Sequence, residues 1–104
     1  MKIVKVTYTV KHEYASQNQI NIKKVMADLQ KLNRAGINYN VCLSADGKTF
    51  IHTAFMQTEE DNKTLLDLPS FKHFQEQLKA EGIETPPKQE FLTLIESSTP
   101  VFRD

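Results

Sequence analysis

Apolar and polar side chains alternate at the start of the chain. In the segment KIVKVTYTVK, residues 2–11, one parity carries Val4, Val6, Tyr8 and Val10, and the other carries Lys5, Thr7 and Thr9. A period of two residues is typical of a strand with one buried face. We therefore predict a first strand over residues 2–11.

Helical spacing replaces this alternation in the next segment. Apolar residues recur every three or four positions, at Ile22, Val25, Met26, Leu29 and Leu32. Lysines and other polar residues occupy the opposite side, which predicts an amphipathic helix. Ser16 and Asn18 are candidate N-terminal caps. Gly36 can adopt the left-handed conformation that ends many helices.

Two strand-like runs follow in INYNVCLSADGKTFIHTAFM, on either side of Asp46 and Gly47. An Asp-Gly pair is a strong signal for a two-residue type I′ hairpin turn. Counting back from that turn places His52 opposite Val41 and Tyr39 opposite Ala54. We therefore predict a hairpin whose register is fixed by its turn.

The second half of the chain predicts two helices and a strand. Because proline fits the first turn of a helix and breaks its interior, we expect one short helix to about Leu66 and another from about Pro69 to Gly82. The segment KQEFLTLIESS, after Pro86 and Pro87, predicts the last strand.

The element order is β-α-β-β-α-β, with one extra helical turn. This is the order of the ferredoxin-like α+β fold, in which a four-stranded antiparallel sheet carries its helices on one face. We predict a single domain over residues 1–98 and a C-terminal tail over residues 99–104.

The third and fourth strands are apolar on both faces. The third strand carries apolar groups on both parities, and so does the fourth, at Phe91, Leu92, Leu94 and Ile95. The helices of one small chain cover only one face of a sheet. A second copy of the chain is the simplest cover for the other face, which predicts a homodimeric barrel. The alternative cover is the tail around Val101 and Phe102.

Composition excludes several function classes. The 104 residues include thirteen basic and thirteen acidic side chains, so the formal net charge is zero and no basic surface is expected for nucleic acid or an anionic membrane. No apolar run approaches the roughly 20 residues of a membrane span. The single cysteine, Cys42, excludes an intrachain disulfide and is expected to be a buried thiol. We predict a cytoplasmic protein.

Several segments together resemble a known family. DGKTFIHTAF, QTEEDN, LPSFKHFQEQL and the Pro-Pro pair resemble the dimeric α+β barrel superfamily, and most of all its small antibiotic biosynthesis monooxygenase-like proteins, over about residues 3–98. The resemblance implies a homodimer with one cavity at each sheet. Members include cofactor-free monooxygenases of electron-rich phenols or quinols, haem-degrading enzymes and proteins without known activity.

The chain departs from the better-known enzymes of this superfamily. Many of them carry a tryptophan near the end of the third strand, whereas this chain has no tryptophan and offers Phe55 there. The haem-degrading members combine an asparagine, a tryptophan and a helical histidine. Only Asn40 and His73 correspond, and only loosely, to two of these three residues, which disfavours haem degradation.

His52 is the main candidate for chemistry. Its pKa suits it to deprotonate a phenolic hydroxyl, although a strand histidine is more often hydrogen-bonded to a neighbour in a purely structural role. The candidate substrate-binding residues are Tyr39, Asn40, Tyr8 and Phe74. Each of them also has an ordinary structural explanation, as core packing or as a partner for a backbone group. His12 and His73 are expected at a rim or in solvent.

Two functions follow from these residues. The first is a cofactor-independent monooxygenase acting on a small aromatic or quinol-like molecule, without metal or cofactor. The second is a non-enzymatic homodimer, binding a ligand or serving a structural role, in which His52 is simply hydrogen-bonded.

Overall fold

The computed structural model describes residues 1–103. These residues form four strands and three helices, with a 3₁₀ turn at His12–Tyr14 and a π turn at Leu78–Gly82. Their bounds are β1 Lys2–Val10, α1 Ala15–Leu32, β2 Ile37–Leu43, β3 Thr49–Met56, α2 Glu59–Asp67, α3 Pro69–Gln77 and β4 Ile83–Leu92. None of the helices in this part of the chain is long and apolar enough to span a bilayer.

The sheet has the strand order β2-β3-β1-β4, and every neighbouring pair is antiparallel. On one face, alternate residues of the two central strands join side chains of all three helices in a single core. Buried members of that core include Tyr8, Phe50, Val25, Leu65 and Phe74. The ferredoxin-like α+β fold predicted from the element order is confirmed.

The hairpin register is confirmed, and its turn differs from the prediction. Val41 pairs with His52, and Tyr39 pairs with Ala54. A type I′ turn needs positive φ at both central residues, but only Gly47 is left-handed, with φ 76°. The side chain of Asp46 instead accepts hydrogen bonds from the backbone N–H groups of Lys48 and Thr49. The register is unchanged because the strands still pair next to the turn, where the N–H of Ser44 donates to the carbonyl of Thr49 at 2.8 Å.

The end of α1 differs from the prediction as well. Asn33, with φ 51°, supplies the left-handed cap, and its N–H donates to the carbonyl of Leu29. Gly36 is needed for a different reason, because a side chain there would overlap the carboxylate of Asp61. Asp61 is buried, closes a capping box with Thr58 at the start of α2, and lies 2.8 Å from Nη2 of Arg34.

We expect Gly36→Ala to lower the free energy of unfolding by about 1–3 kcal/mol, since overpacking a filled site costs this much. Urea denaturation measures the change. In an Asp61→Ala background the same glycine substitution should cost little, because its clash partner is gone. Equal costs in both backgrounds would contradict this account of Gly36.

The last strand begins earlier than predicted. It runs from Ile83 and includes Pro86 and Pro87, which the prediction placed before the strand. Proline has no N–H to donate and is confined to edge strands and irregular positions. β4 is an edge strand, and its pairing with β1 shifts register between Lys88 and Thr85. The edge position explains why two prolines are tolerated there.

The sheet face opposite the helices is partly open in the single chain. Cys42 is exposed on this face, so the prediction of a buried thiol is wrong for the monomer. The tail passes from β4 to the other edge of the sheet, where the side-chain amide of Asn38 donates to the carbonyl of Val101. Ile95 of the tail remains 91% exposed. The domain boundary at residue 98 stays a prediction, and Asp104 lies outside the described residues.

Candidate functional site

A cavity of about 590 Å³ lies between the helix-covered face of the sheet and helices α2 and α3. This volume falls within the usual range for small-molecule sites. Its wall is mainly apolar and includes Val4 and Val6 from β1, Leu65 from α2, and Phe71 and Phe74 from α3. Polar groups of the sheet reach this wall where β1, β3 and β2 lie side by side.

Three aromatic side chains, one from each of these three strands, come together there. The hydroxyl of Tyr8 on β1 lies 2.7 Å from Nε2 of His52 on β3, and the hydroxyl of Tyr39 on β2 lies 2.6 Å from Nδ1. His52 pairs directly with Val6 and Val41. The strand pairing thus places its ring between the two tyrosines. Both ring nitrogens of His52 are hydrogen-bonded.

Asn18 of α1 extends this hydrogen-bonded chain. It is fully buried, and its Nδ2 donates to the hydroxyl of Tyr8 at 2.9 Å. Asn18 lies on the same helical stripe as Ile22, Val25 and Leu29, four, seven and eleven residues further on. A polar residue on an apolar stripe was the sequence signal for this position, which the prediction assigned to a helix cap instead.

The hydrogen-bond inventory favours one direction along the chain. Because Tyr8 accepts from Asn18, its own proton is best used as a donor to Nε2 of His52. The imidazole proton then sits on Nδ1 and is donated to the oxygen of Tyr39. This leaves the hydroxyl proton of Tyr39, which lines the cavity, free to donate to a bound molecule. In this arrangement neither nitrogen of His52 is available to a ligand.

Burial sets the charge states of these groups. It lowers the pKa of His52 to about 4, so the imidazole is neutral at pH 7. It also raises the pKa of the Tyr39 and Tyr8 hydroxyls above their ordinary value. The site is therefore an uncharged chain of hydrogen bonds that ends in a phenolic O–H donor.

Aromatic rings surround His52 on the helix side. The ring of Phe74 lies with its centroid 5.4 Å from that of His52, and Phe71 lies 5.9 Å from Phe74. Phe71 and Tyr39 also pack edge-on, with ring centroids 6.2 Å apart. These distances suit stacked and edge-on aromatic packing. A planar ring entering the cavity would find the same kind of surface.

The structure brings four of the five candidate residues together. His52, Tyr39, Tyr8 and Phe74 all line the cavity. Asn40 does not line it, because adjacent residues of a strand point to opposite faces and Asn40 follows Tyr39 directly. Its side chain is exposed and donates to Oδ1 of Asn38. The roles of His52 as a base and of the other residues in substrate binding stay predictions.

Other candidate groups lie away from the cavity. His12 and His73 are exposed. A second cavity of about 340 Å³ lies between α1, β2 and the tail, and Tyr39 contributes to its wall as well. Within residues 1–103, no three histidine, cysteine, aspartate or glutamate side chains come together as a metal site.

The sequence matches no protein-family model and no curated protein. Solved structures do match the fold. Rv0793 from Mycobacterium tuberculosis superimposes with a TM-score of 0.76 at 12% identity, covering 94% of this chain and 98% of that one. A structure described as an antibiotic biosynthesis monooxygenase has a TM-score of 0.72 at 9% identity, covering 92% and 100%.

A third match is SnoaB from Streptomyces nogalater, described as a cofactor-independent oxygenase. It has a TM-score of 0.67 at 13% identity and covers 95% of this chain and 98% of that one. These TM-scores show a shared fold, whereas identities this low leave the activity open. The chain therefore has the same ferredoxin-like α+β fold as these solved structures.

Proposed function

We propose that this chain is a cofactor-independent oxygenase that binds a small hydroxylated aromatic molecule in the cavity beneath α2 and α3. The observation that carries the proposal is the Tyr8–His52–Tyr39 chain, which ends in the Tyr39 hydroxyl on an otherwise mainly apolar wall. A pocket of this kind buries an aromatic ring and fixes one oxygen of it. The shared fold with SnoaB supports the same function class.

The Tyr39 hydroxyl is the proposed contact with the ligand oxygen. A donor aimed at a phenolate or enolate oxygen stabilises the negative charge there, and it does so more strongly in a water-poor cavity than in solution. An electron-rich anion of this type reacts with O₂ by giving up its own electrons. One oxygen atom becomes a ring carbonyl, and the other leaves as water together with the two hydrogens that the substrate loses.

His52 is proposed to act through Tyr39. A direct role as base requires a free ring nitrogen, and both nitrogens are bonded to tyrosine hydroxyls. The low pKa of His52, caused by burial, also makes it a weak proton acceptor for an ordinary phenol, whose pKa is near 10. We therefore assign His52, Tyr8 and Asn18 to the positioning of the Tyr39 hydroxyl.

The satisfied hydrogen bonds of His52 also favour a second candidate function. A fully bonded neutral histidine suits a protein that binds an aromatic ligand without transforming it. Oxygen consumption by the purified protein, with dihydroxy- and trihydroxy-aromatics as substrates, separates the two functions. We expect uptake of one O₂ for each quinone formed. Tight ligand binding without oxygen uptake would support the binding protein and contradict the oxygenase.

A homodimer in the cytoplasm completes the proposal. Leu92 on β4, which pairs with Ile3 and faces away from the helices, is 42% exposed, and Ile95 in the tail is 91% exposed, so the single chain leaves large apolar groups uncovered. Association through this part of the sheet would remove them from water. Light scattering at micromolar concentration should give twice the mass of the chain. A monomer under these conditions would contradict the dimer and leave the cavity of each chain unchanged.

A further inference from the structure

The charged residues that line the large cavity are both lysines. Lys2 from β1 and Lys79 from the turn after α3 contribute to its wall, and within residues 1–103 no aspartate or glutamate does. The ion pairs in this part of the chain involve other lysine and arginine residues. Two ammonium groups beside an apolar, low-dielectric space give the cavity a positive potential.

Lys2 is held in place by its strand and by an aromatic ring. It has the same parity as Val4, Val6 and Tyr8, so its side chain leaves the sheet on the face that carries the cavity. Its Nζ lies 5.7 Å from the centroid of the Phe91 ring, as in a cation–π pair. The aliphatic stem covers apolar surface while the ammonium group stays at the rim.

The spacing between Lys2 and Tyr39 limits the size of the molecule that fits. Tyr39 pairs with Ala54, which pairs with Val4, so Tyr39 lies two residues along and two strands across from Lys2, or about 12 Å at roughly 3.3 Å per residue and roughly 4.8 Å per strand. The reach of the two side chains shortens this span. Two fused aromatic rings, with a polar group at each end, match the distance that remains.

We infer that the ligand of this cavity is an anionic hydroxy-aromatic whose carboxylate pairs with Lys2 while its ring oxygen accepts from Tyr39. The inference rests on the proposed function and adds the charge, the second polar group and the size of the ligand. Lys79, elsewhere on the cavity wall, adds to the attraction of an anion. Lys2 is thus the residue that selects for the carboxylate.

Two naphthalene probes test this inference. 6-Hydroxy-2-naphthoate carries its hydroxyl and carboxylate at opposite ends, and 2-naphthol lacks the carboxylate. Titration of probe fluorescence gives the Kd of each. We expect the naphthoate to bind about tenfold more tightly than the naphthol, which corresponds to roughly 1.4 kcal/mol. Lys2→Gln should abolish this preference, and Lys2→Arg should retain it.

The matched control is Lys5→Gln, because Lys5 lies on the same strand with the opposite parity. It should leave both Kd values unchanged. Equal affinity of the wild type for the two probes, or equal effects of Lys2→Gln and Lys5→Gln, would overturn the anionic ligand while leaving an aromatic site intact. If neither probe binds at millimolar concentration, the anionic ligand and the proposed aromatic site both fail.

Discussion

Tyr39→Phe should lower kcat for a hydroxylated aromatic substrate by about a hundredfold, with a much smaller change in KM. The substitution removes one hydroxyl and keeps the ring that packs on Phe71. Loss of a single donor to a developing oxyanion typically costs 10²–10³ in kcat, because the interaction is strongest in the transition state. Steady-state oxygen consumption measures both constants.

The control for this experiment is Tyr14→Phe. The Tyr14 hydroxyl lies 3.5 Å from Nδ2 of Asn21, and its side chain is not part of the cavity wall. Tyr14→Phe should leave kcat unchanged. His52→Gln should give a loss similar to that of Tyr39→Phe, because it releases the Tyr39 hydroxyl from its partner. Wild-type kcat in Tyr39→Phe would exclude this residue from catalysis.

A bound chromophore gives a second readout of the same donor. A nitrophenol in the cavity should ionise at a lower pH in the wild type than in Tyr39→Phe, since the Tyr39 hydroxyl stabilises the phenolate. A hydrogen bond to a charged group contributes about 1.5–3 kcal/mol, or roughly one to two units in the pKa of the bound phenol. Absorbance titration measures the pKa of the bound nitrophenol without any turnover.

The wild type should lose about 3 kcal/mol of stability between pH 6.5 and pH 4, relative to His52→Gln. Burial lowers the pKa of His52 from 6.5 in the unfolded chain to about 4 in the folded one. Between these values the unfolded chain binds a proton that the folded chain does not, so acidification favours unfolding. The difference of about 2.5 pKa units corresponds to roughly 3 kcal/mol.

Urea denaturation at a series of pH values tests this dependence. The difference between the wild type and His52→Gln should be constant above pH 6.5 and shrink as the pH falls towards 4. His12→Gln and His73→Gln serve as controls, because both side chains are exposed. Each of these two curves is compared with that of the wild type in the same way. A parallel curve for His52→Gln would show that His52 does not titrate in this way.

Most of the fold could be predicted from local sequence patterns. Alternation in β1, helical spacing in α1 and the turn before β3 are short-range signals, and they gave the element order and the Val41–His52 pairing. The predictions fail where contacts with a distant part of the chain determine the local structure. The last strand contains Pro86 and Pro87 because it lies at a sheet edge, and no pattern within the segment reveals that position.

The candidate site, too, could be predicted only in part from local sequence patterns. The period of two in each strand, together with the hairpin register, put Tyr39 and His52 on one face, and the sequence alone determined this much. It did not reveal which face the helices cover. That choice placed Tyr39 at the cavity and Asn40 on the opposite face, although the two residues are adjacent.

The sequence by itself determined the elements, their order and the residues that share each strand face, because backbone geometry and cross-strand pairing act over a few residues. Only the tertiary structure decided that α1 would bring Asn18 to Tyr8, that both nitrogens of His52 would be bonded, and that Tyr39 would lie at the cavity wall. These contacts join residues 10, 13 and 44 positions apart. The contact of Asn18 depends on how α1 packs against the sheet, and the contacts of His52 depend on the pairing of β3 with both β1 and β2. No pattern within one segment specifies either arrangement.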